Sequence, residues 1–200
     1  MRSRRASHGS VRPLNCGVRF ALNSPRATQV GVDSQCYSYL LDSIAGVSEP
    51  TDSLAEEKKA LLRIWLYQRG TFILTETVVA EVAQIRNTDR RALHDSFTQT
   101  LFLTYPAKDP ATVQARAEAL SLHHSGANDC RILAEAEEIG LDILLTYDAD
   151  FCKRLTGRSK VVALLRPSLY WSKLAIVRGA QPITIPHHSN PLSDKTWWQS

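Results

Sequence analysis

Four acidic side chains stand where they could carry chemistry, each at the edge of a predicted strand or helix: Asp33, Glu81, Asp129 and Asp148. Each lies near apolar residues, where a carboxylate is costly to bury unless it is paired or coordinated. Two like charges about 4 Å apart repel by about 4 kcal/mol at an effective dielectric of about 20. Four converging carboxylates would therefore take up protons or bind a cation, and a site built only of oxygen ligands favours magnesium or manganese over zinc.

Two of these acids follow predicted strands. Asp33 comes directly after a strand predicted at residues 29–32, and Asp148 comes shortly after the continuous apolar run Ile143–Leu145. Ligands of open α/β sheets bind beyond the carboxyl ends of the strands. Taken alone, however, Asp33 is better explained as a helix N-cap. Asp150 is open to three explanations: a fifth ligand, a group that supports the ligands, or the cap of the short helix that follows. Asp148 is preferred as the ligand because it is nearer the strand end.

The other two acids lie on predicted helices. Glu81 is at the boundary of the apolar stripe of its helix, a common position for a solvated glutamate, and Thr75 is predicted to cap that helix. Asp129 falls on the apolar face at the first turn of a helix predicted at residues 129–140. A capping role explains Asp129 about as well as a ligand role does. A shared site therefore depends on whether all four side chains meet.

Strand-like runs alternate with helical segments through the centre of the chain. The β-favouring runs are residues 29–32, 71–74, 143–145 and 161–165, with 101–105 as a further candidate. The clearest helices are 129–140 and 53–70, the second opened by an S-x-x-E capping box at Ser53 and Glu56. This alternation predicts a three-layer α/β sandwich with a central, mostly parallel sheet at residues 28–166.

The two ends of the chain differ from this central domain. Residues 1–30 hold six arginines and no acid, which leaves 18 basic against 20 acidic side chains in the remainder. The pI of 9.0 is therefore no argument that the folded body binds nucleic acid. Residues 1–27 are predicted to be a basic, disordered leader, with a misassigned start codon or an organelle transit peptide as alternatives. Residues 167–200 are predicted to be a tail packed on or extending from the domain.

The chain has no sequence feature of a membrane or secreted protein. No apolar run approaches the roughly 18 residues of a membrane span. The four cysteines are scattered, which favours free thiols in a reducing compartment over a disulfide framework or a zinc site. We therefore expect a cytoplasmic protein without a membrane partner.

The segments around the four acids match one family pattern. They are VGVDSQ with Asp33, TETVVAEV with Glu81, NDCRILAEA with Asp129 and LLTYDADF with Asp148. In their order and spacing the chain resembles the PIN-domain ribonucleases, close to the VapC toxins of bacterial toxin–antitoxin pairs, from about residue 29 to residue 165. The resemblance implies an acidic pocket that holds one or two Mg²⁺ or Mn²⁺ ions and cleaves RNA. It places Ser34 where the family often has threonine, and Asp150 at a more variable acidic position.

The hypothesis that follows is metal-assisted hydrolysis of RNA by a toxin of this kind. Asp33, Asp129 and Asp148 are the expected direct ligands, and Glu81 binds the metal through water or orients the nucleophile. An antitoxin protein and a second copy of the chain are the expected partners. Phosphate binding is predicted for four basic residues, although a solvated turn explains them equally well: Lys153, Arg154, Arg158 and Lys160.

Two other functions stay open at this point. An Asp-based phosphoryl-transfer domain also places aspartates at strand ends, and Asp148 with Asp150 imitates a D-x-D nucleophile motif. A PIN-like module could bind RNA or protein without cleavage, although the presence of all four acids argues against it. His123 and His124 end a predicted helix, where the helix dipole explains them better than catalysis does.

Overall fold

The computed structural model describes residues 27–45, 48–68 and 72–199, in which parallel strands form one sheet of five in the order β3-β2-β1-β4-β5. The strands are β1 Val30–Val32, β2 Ile73–Leu74, β3 Leu103–Thr104, β4 Ile143–Leu145 and β5 Ala163–Leu165. Central strand β1 pairs with β2 on one side and with β4 on the other. The predicted parallel sheet is confirmed, whereas the leader lies outside the described residues apart from Ala27.

Helices cover both faces of this sheet. They are α1 Ser34–Ile44, α2 Ala55–Tyr67, α3 Glu76–Val82, α4 Thr88–Leu101, α5 Pro110–Ser121, α6 Ala127–Glu138, α7 Ala149–Leu155 and α8 Pro167–Lys173. Because parallel crossovers are right-handed, α1 to α4 lie on one face and α5 to α7 on the other. In agreement with this, α2 packs against α1 and α8, and α5 packs against α6. The three-layer α/β sandwich predicted from the sequence is confirmed.

The centre of the sheet is apolar on both sides. Val32, Leu144 and Leu145 have no exposed surface, as expected for parallel strands covered by helices. A Cβ at Gly31 would lie 2.4 Å from the Cδ1 of Leu141, which itself is buried. Glycine at position 31 therefore allows Leu141, three residues after the end of α6, to pack directly on β1.

Two helix starts differ from the sequence prediction. The predicted capping box at Ser53 and Glu56 is wrong. Leu54 is the N-cap residue of α2, and its side chain makes no capping hydrogen bond. Its backbone N–H donates to Asp52 Oδ1 over 2.9 Å. Thr75 is the N-cap residue of α3, as predicted, but its side chain makes no capping hydrogen bond. A more distant carboxylate takes that role instead, as described below for the junction of α3 and α6.

Two helices have no clear sequence pattern. In α4 the buried residue is His94, so the helix lacks the apolar stripe on which periodicity depends. Helix α8 begins at Pro167, and its first turn is held by a buried residue of α2. Glu57 accepts hydrogen bonds from the N–H of Ser168 over 2.9 Å and from its hydroxyl over 2.8 Å. Both helices depend on long-range contacts that a local pattern does not contain.

The segment after α8 also lies against α2. The guanidinium of Arg63 donates to the carbonyl oxygens of Trp197 and Trp198, both over 3.2 Å, and the Trp198 side chain is buried. The backbone N–H of Ile183 donates to the carbonyl of Leu66 over 2.8 Å. Within the described ranges, no helix has the length and apolar character needed to span a membrane.

Candidate active site

A single pocket at the carboxyl edge of the sheet contains all four of the acids singled out above. It opens beside the ends of β1 and β4, where chain order reverses and where open α/β sheets bind their ligands. Its described lining is Asp33, Ser34, Gln35, Glu81, Gln84, Asn128, Asp129, Ile132 and Asp148. The four carboxylates come from α3, α6 and the residues that follow two strands. The fold thus brings together residues up to 115 positions apart.

Asp33 is the most buried of the four carboxylates, with 5% of its surface exposed. It is the N-cap of α1 and accepts a hydrogen bond from the N–H of Cys36 over 2.6 Å. Burial raises the pKa of Asp33 to about 6; hydrogen bonds from Thr146 and Cys36 oppose this, and the nearby charge of Asp129 adds to it. Asp33 therefore caps α1 and also lines the pocket, and its role as a metal ligand stays a prediction.

Asp129 lies in the first turn of α6, as expected, and contacts a histidine. Its Oδ2 is 2.7 Å from Nε2 of His124, and 29% of its side chain is exposed. Burial raises the pKa of Asp129, His124 lowers it, and the charges of Asp148 and Glu81 raise it. Two other pocket carboxylates therefore act electrostatically on Asp129, as expected where carboxylates converge.

Glu81 is held by two polar neighbours in the pocket. The hydroxyl of Ser34 and the amide nitrogen of Asn128 both donate short hydrogen bonds to its carboxylate. These bonds connect α3 to α1 and α6. Ser34 came from the family resemblance, whereas Asn128 was missed, although it immediately precedes Asp129 in the NDCRILAEA segment.

The position of α3 depends on a buried carboxylate of α6. Glu135, with 2% of its surface exposed, accepts a hydrogen bond from the N–H of Thr77 over 3.0 Å and one from the Thr77 hydroxyl over 2.7 Å. The Nε of Arg131 donates to the same carboxylate over 3.2 Å. We call this arrangement the α3–α6 junction. It fixes the helix that carries Glu81 against the helix that carries Asp129.

Asp148, rather than Asp150, caps α7. Its Oδ1 accepts hydrogen bonds from the N–H groups of Asp150 and Phe151 over 2.7 and 2.9 Å. The side chain of Asp150 is 60% exposed, lies 3.3 Å from Nε of Arg154, and does not contribute to the described pocket lining. Of the three explanations for Asp150, the helix cap is therefore wrong, and the roles of a further ligand and of a group that supports the ligands stay predictions.

The four basic residues predicted to bind RNA are not part of the described pocket lining. Lys153 and Arg154 are in the last turn of α7, and the chain then runs to the amino end of β5. Because β5 is parallel to β4, that end is at the edge of the sheet opposite the pocket. Lys153, Arg154, Arg158 and Lys160 are all exposed. Their binding to RNA stays a prediction.

Two other arginines flank the pocket instead. Arg90 of α4 lines a depression that shares Ser34 and Gln35 with the pocket, and its guanidinium is 2.7 Å from Asp42. Arg131 of α6 lines a depression on the other side, which shares Glu81, Gln84 and Asn128 with it. No sequence pattern marks either arginine, because each reaches the pocket through packing between helices.

The donor set of the pocket fits a hard divalent cation. The described lining residues offer carboxylate, amide and hydroxyl oxygens, which are ligands of magnesium and manganese. The raised pKa of Asp33 shows that burial leaves its charge incompletely compensated. In the described ranges, no group of three or more His, Cys, Asp or Glu side chains has an arrangement that would hold a metal ion. The carboxylates instead accept hydrogen bonds from neighbouring residues.

Comparison with known families now identifies the class of protein. The PIN domain family model matches residues 47–154, and the chain therefore belongs to the PIN-domain family. The matched region includes Glu81, Asp129 and Asp148 and begins after Asp33. PIN domains are generally nucleases and typically use divalent metals, which places the chain in a family of hydrolases.

One similar solved structure is that of VapBC2 from Rickettsia felis bound to a DNA fragment from their promoter. It shares 13% sequence identity, covers 69% of this chain and 98% of the other, and has a TM-score of 0.45. No curated protein matches the chain in sequence.

Proposed function

We propose that this chain is a Mg²⁺- or Mn²⁺-dependent endoribonuclease that hydrolyses phosphodiester bonds at the described pocket. The observation that carries the proposal is the meeting of Asp33, Glu81, Asp129 and Asp148 at the carboxyl edge of the sheet. Membership of a nuclease family supports the reaction class. RNA as the substrate is supported by the resemblance of the four acidic segments to the PIN-domain ribonucleases.

The four pocket carboxylates have two roles in this proposal. Asp33, Asp129 and Asp148 hold the cation, because their carboxylates come from three elements that surround the pocket. Glu81 orients the attacking water, since Ser34 and Asn128 fix its carboxylate. A bound divalent cation would supply charge stabilisation at the phosphate and a more acidic water. Asp150 stays a candidate for a further, outer ligand.

Cleavage of labelled single-stranded RNA by the pure protein tests this function. Products should form with Mg²⁺ or Mn²⁺, disappear with excess EDTA and return when the metal is restored. Failure of the folded protein to cut with either metal would contradict the proposal. Under those conditions, binding of the intact RNA would instead favour a PIN-like binding module.

The phosphoryl-transfer alternative has a separate test. It requires a nucleophilic aspartate oxygen, and one of the two carboxylate oxygens of Asp148, Oδ1, already accepts two backbone hydrogen bonds. Incubation with acetyl phosphate followed by intact-mass measurement should therefore leave the protein unmodified. A stable adduct on Asp148 or Asp150 would favour the alternative.

We propose further that the nuclease is the cytoplasmic toxin of a toxin–antitoxin pair, with an antitoxin protein as partner and a homodimer as its assembly. The resemblance of the acidic segments to VapC toxins supports this role. Expression should arrest bacterial growth, and Asp148→Asn should remove the arrest. The gene should have a small open reading frame next to it whose co-expression restores growth, and size-exclusion chromatography should give a dimer. Growth unaffected by the wild-type protein would exclude a toxin role in that host.

Residues 28–166 form the catalytic unit in this proposal, with residues 1–27 as a leader and residues 167–200 as a tail. Hydrogen bonds from Arg63 to the backbone of Trp197 and Trp198 support a tail that packs on the domain. RNA phosphates are proposed to reach Lys153, Arg154, Arg158 and Lys160 when the strand extends beyond the pocket along α7.

A further inference from the structure

His124 is a buried histidine beside the pocket that neither the fold nor the proposed reaction accounts for. It lies in the loop between α5 and α6, and 6% of its side chain is exposed. Its ring stacks on Phe151 of α7, with centroids 5.8 Å apart and planes at 12°. Its Nε2 lies 2.7 Å from Oδ2 of Asp129. The imidazole is thus held by α7 on one face and meets α6 at its edge.

The direction of this hydrogen bond follows from its partners. An ionised carboxylate only accepts hydrogen bonds, so Nε2 of His124 carries the hydrogen and donates it to Asp129. In the described ranges, the other ring nitrogen, Nδ1, is buried without a hydrogen-bond partner. The oxygen of Asp150 nearest to it is 3.7 Å away. The histidine is therefore oriented by one strong bond, made to a pocket carboxylate.

Gly126 lies directly against the contact between His124 and Asp129. A Cβ at position 126 would lie 2.4 Å from Oδ2 of Asp129 and 2.5 Å from Nε2 of His124. The backbone of Gly126, with φ −71° and ψ 96°, is one that other residues adopt. Glycine is therefore needed here for space and not for backbone conformation. A side chain at this position would force the histidine, the aspartate or both to shift.

We propose that His124 is a positioning residue that fixes the carboxylate of Asp129 for divalent-cation binding, and that Gly126 provides the space for it. This inference rests on the proposed function of the pocket. A group that hydrogen-bonds to a metal ligand and orients it commonly contributes about 10- to 100-fold to metal affinity, and this contribution is lost when the group is removed. His124 connects Asp129 on α6 to α7, whose N-cap is Asp148. Two of the proposed ligands are thereby held relative to each other.

Four variants separate positioning from general structural support. His124→Ala removes the donor, Gly126→Ala displaces it, and His124→Gln keeps an N–H donor. His123→Ala is the matched control, because His123 is the exposed neighbour in the same loop. Mn²⁺ binding is measured from the loss of the free-ion EPR signal, and RNA cleavage is measured as kcat and KM. Melting temperatures show which variants are folded.

Folded His124→Ala and Gly126→Ala should each bind Mn²⁺ about 10-fold more weakly and lose kcat at subsaturating metal, with KM for RNA changed less than twofold. His124→Gln should recover part of both losses, and His123→Ala should match the wild type. Wild-type Mn²⁺ affinity in either folded alanine variant would overturn the inference while leaving the proposed nuclease intact. A wild-type protein that neither binds Mn²⁺ nor cuts RNA would overturn both. If His124→Ala does not fold, Gly126→Ala and His124→Gln decide by the same criteria.

Discussion

Glu135 and Asp33 are both buried carboxylates, but their surroundings differ. At the α3–α6 junction, Glu135 receives two hydrogen bonds from Thr77 and one from Arg131. In the pocket, burial raises the pKa of Asp33 to about 6, and the charge of Asp129 adds to this shift. The junction gives its carboxylate a charged donor, Arg131, in addition to the two from Thr77, whereas the hydrogen bonds to Asp33 only partly offset the effect of burial on its pKa. Converging carboxylates whose burial is only partly offset are where a cation is expected.

The largest effect should come from removing one pocket carboxylate. Asp148→Asn keeps the side-chain oxygen that can cap α7 and removes the charge, so the fold should persist. RNA cleavage should fall by more than about 100-fold, the upper end of the loss seen for groups that only support a ligand. The measurement is the initial rate of cleavage of labelled RNA with saturating Mg²⁺.

The control for that variant is Asp95→Asn, which removes an exposed carboxylate of α4 outside the described pocket lining. Its cleavage rate should stay within twofold of the wild type. Equal cleavage rates in Asp148→Asn and Asp95→Asn would contradict the proposal that the pocket is the site of cleavage.

The next effect is on stability and concerns the junction. Glu135→Ala leaves the Thr77 N–H without its buried acceptor and should lower the free energy of unfolding by about 2–3 kcal/mol. Urea unfolding followed by circular dichroism measures this change. Glu118→Ala, on the exposed side of α5, should cost less than about 0.5 kcal/mol. Similar values for the two variants would mean that the junction does not hold α3 in place.

A smaller effect of opposite sign is expected at Asp33. Its folded pKa of about 6 lies above the ordinary value of 3.8, so the native state prefers the protonated form. The resulting destabilisation is absent below about pH 4, grows between pH 4 and 6 and is complete above that range. Asp33→Asn, which can still cap α1, should therefore stabilise the metal-free protein by about 1–2 kcal/mol at pH 7.

Thermal melts in EDTA from pH 4 to pH 8 measure this difference. The advantage of Asp33→Asn should shrink towards pH 4, and added Mg²⁺ should stabilise the wild type more than the variant. If Asp33→Asn is less stable than the wild type at pH 7 and equally stable at pH 4, the ionised Asp33 carboxylate stabilises the fold. That result would refute the expectation that burial of Asp33 in the pocket destabilises the metal-free protein.

The smallest effects concern RNA affinity at the two basic regions. Arg90 adjoins the pocket through shared lining residues, whereas Lys160 lies beyond α7. One lost phosphate contact should weaken RNA binding about threefold. It should also reduce the slope of log Kd against log salt concentration by about one. With a short RNA that does not extend beyond the pocket, we expect this loss for Arg90→Ala and less than twofold for Lys160→Ala, measured by fluorescence anisotropy at several salt concentrations. The opposite order would place the RNA strand along α7.

Local patterns were sufficient for much of the fold, whereas the choice of acids also depended on the family resemblance. The runs at β1 and β4 are apolar because they are buried on both faces, and α6 carries a regular apolar stripe, so both kinds of element were predicted close to their observed bounds. Helix α4 was not predicted, because its buried residue is His94 and not an apolar series. Caps were the weakest predictions, since α3 takes its cap from Glu135, 58 residues away from Thr77.

The sequence by itself determined which residue types stand at the ends of β1 and β4 and at the starts of the helices, because strand and helix signals are local. Tertiary structure decided which carboxylates share a pocket and which are satisfied by other parts of the chain. It also decided that Arg90 adjoins the pocket while Lys160 does not, and that His124 meets Asp129 over the space left by Gly126. These outcomes depend on how distant elements approach one another, and local spacing carries no information about that approach.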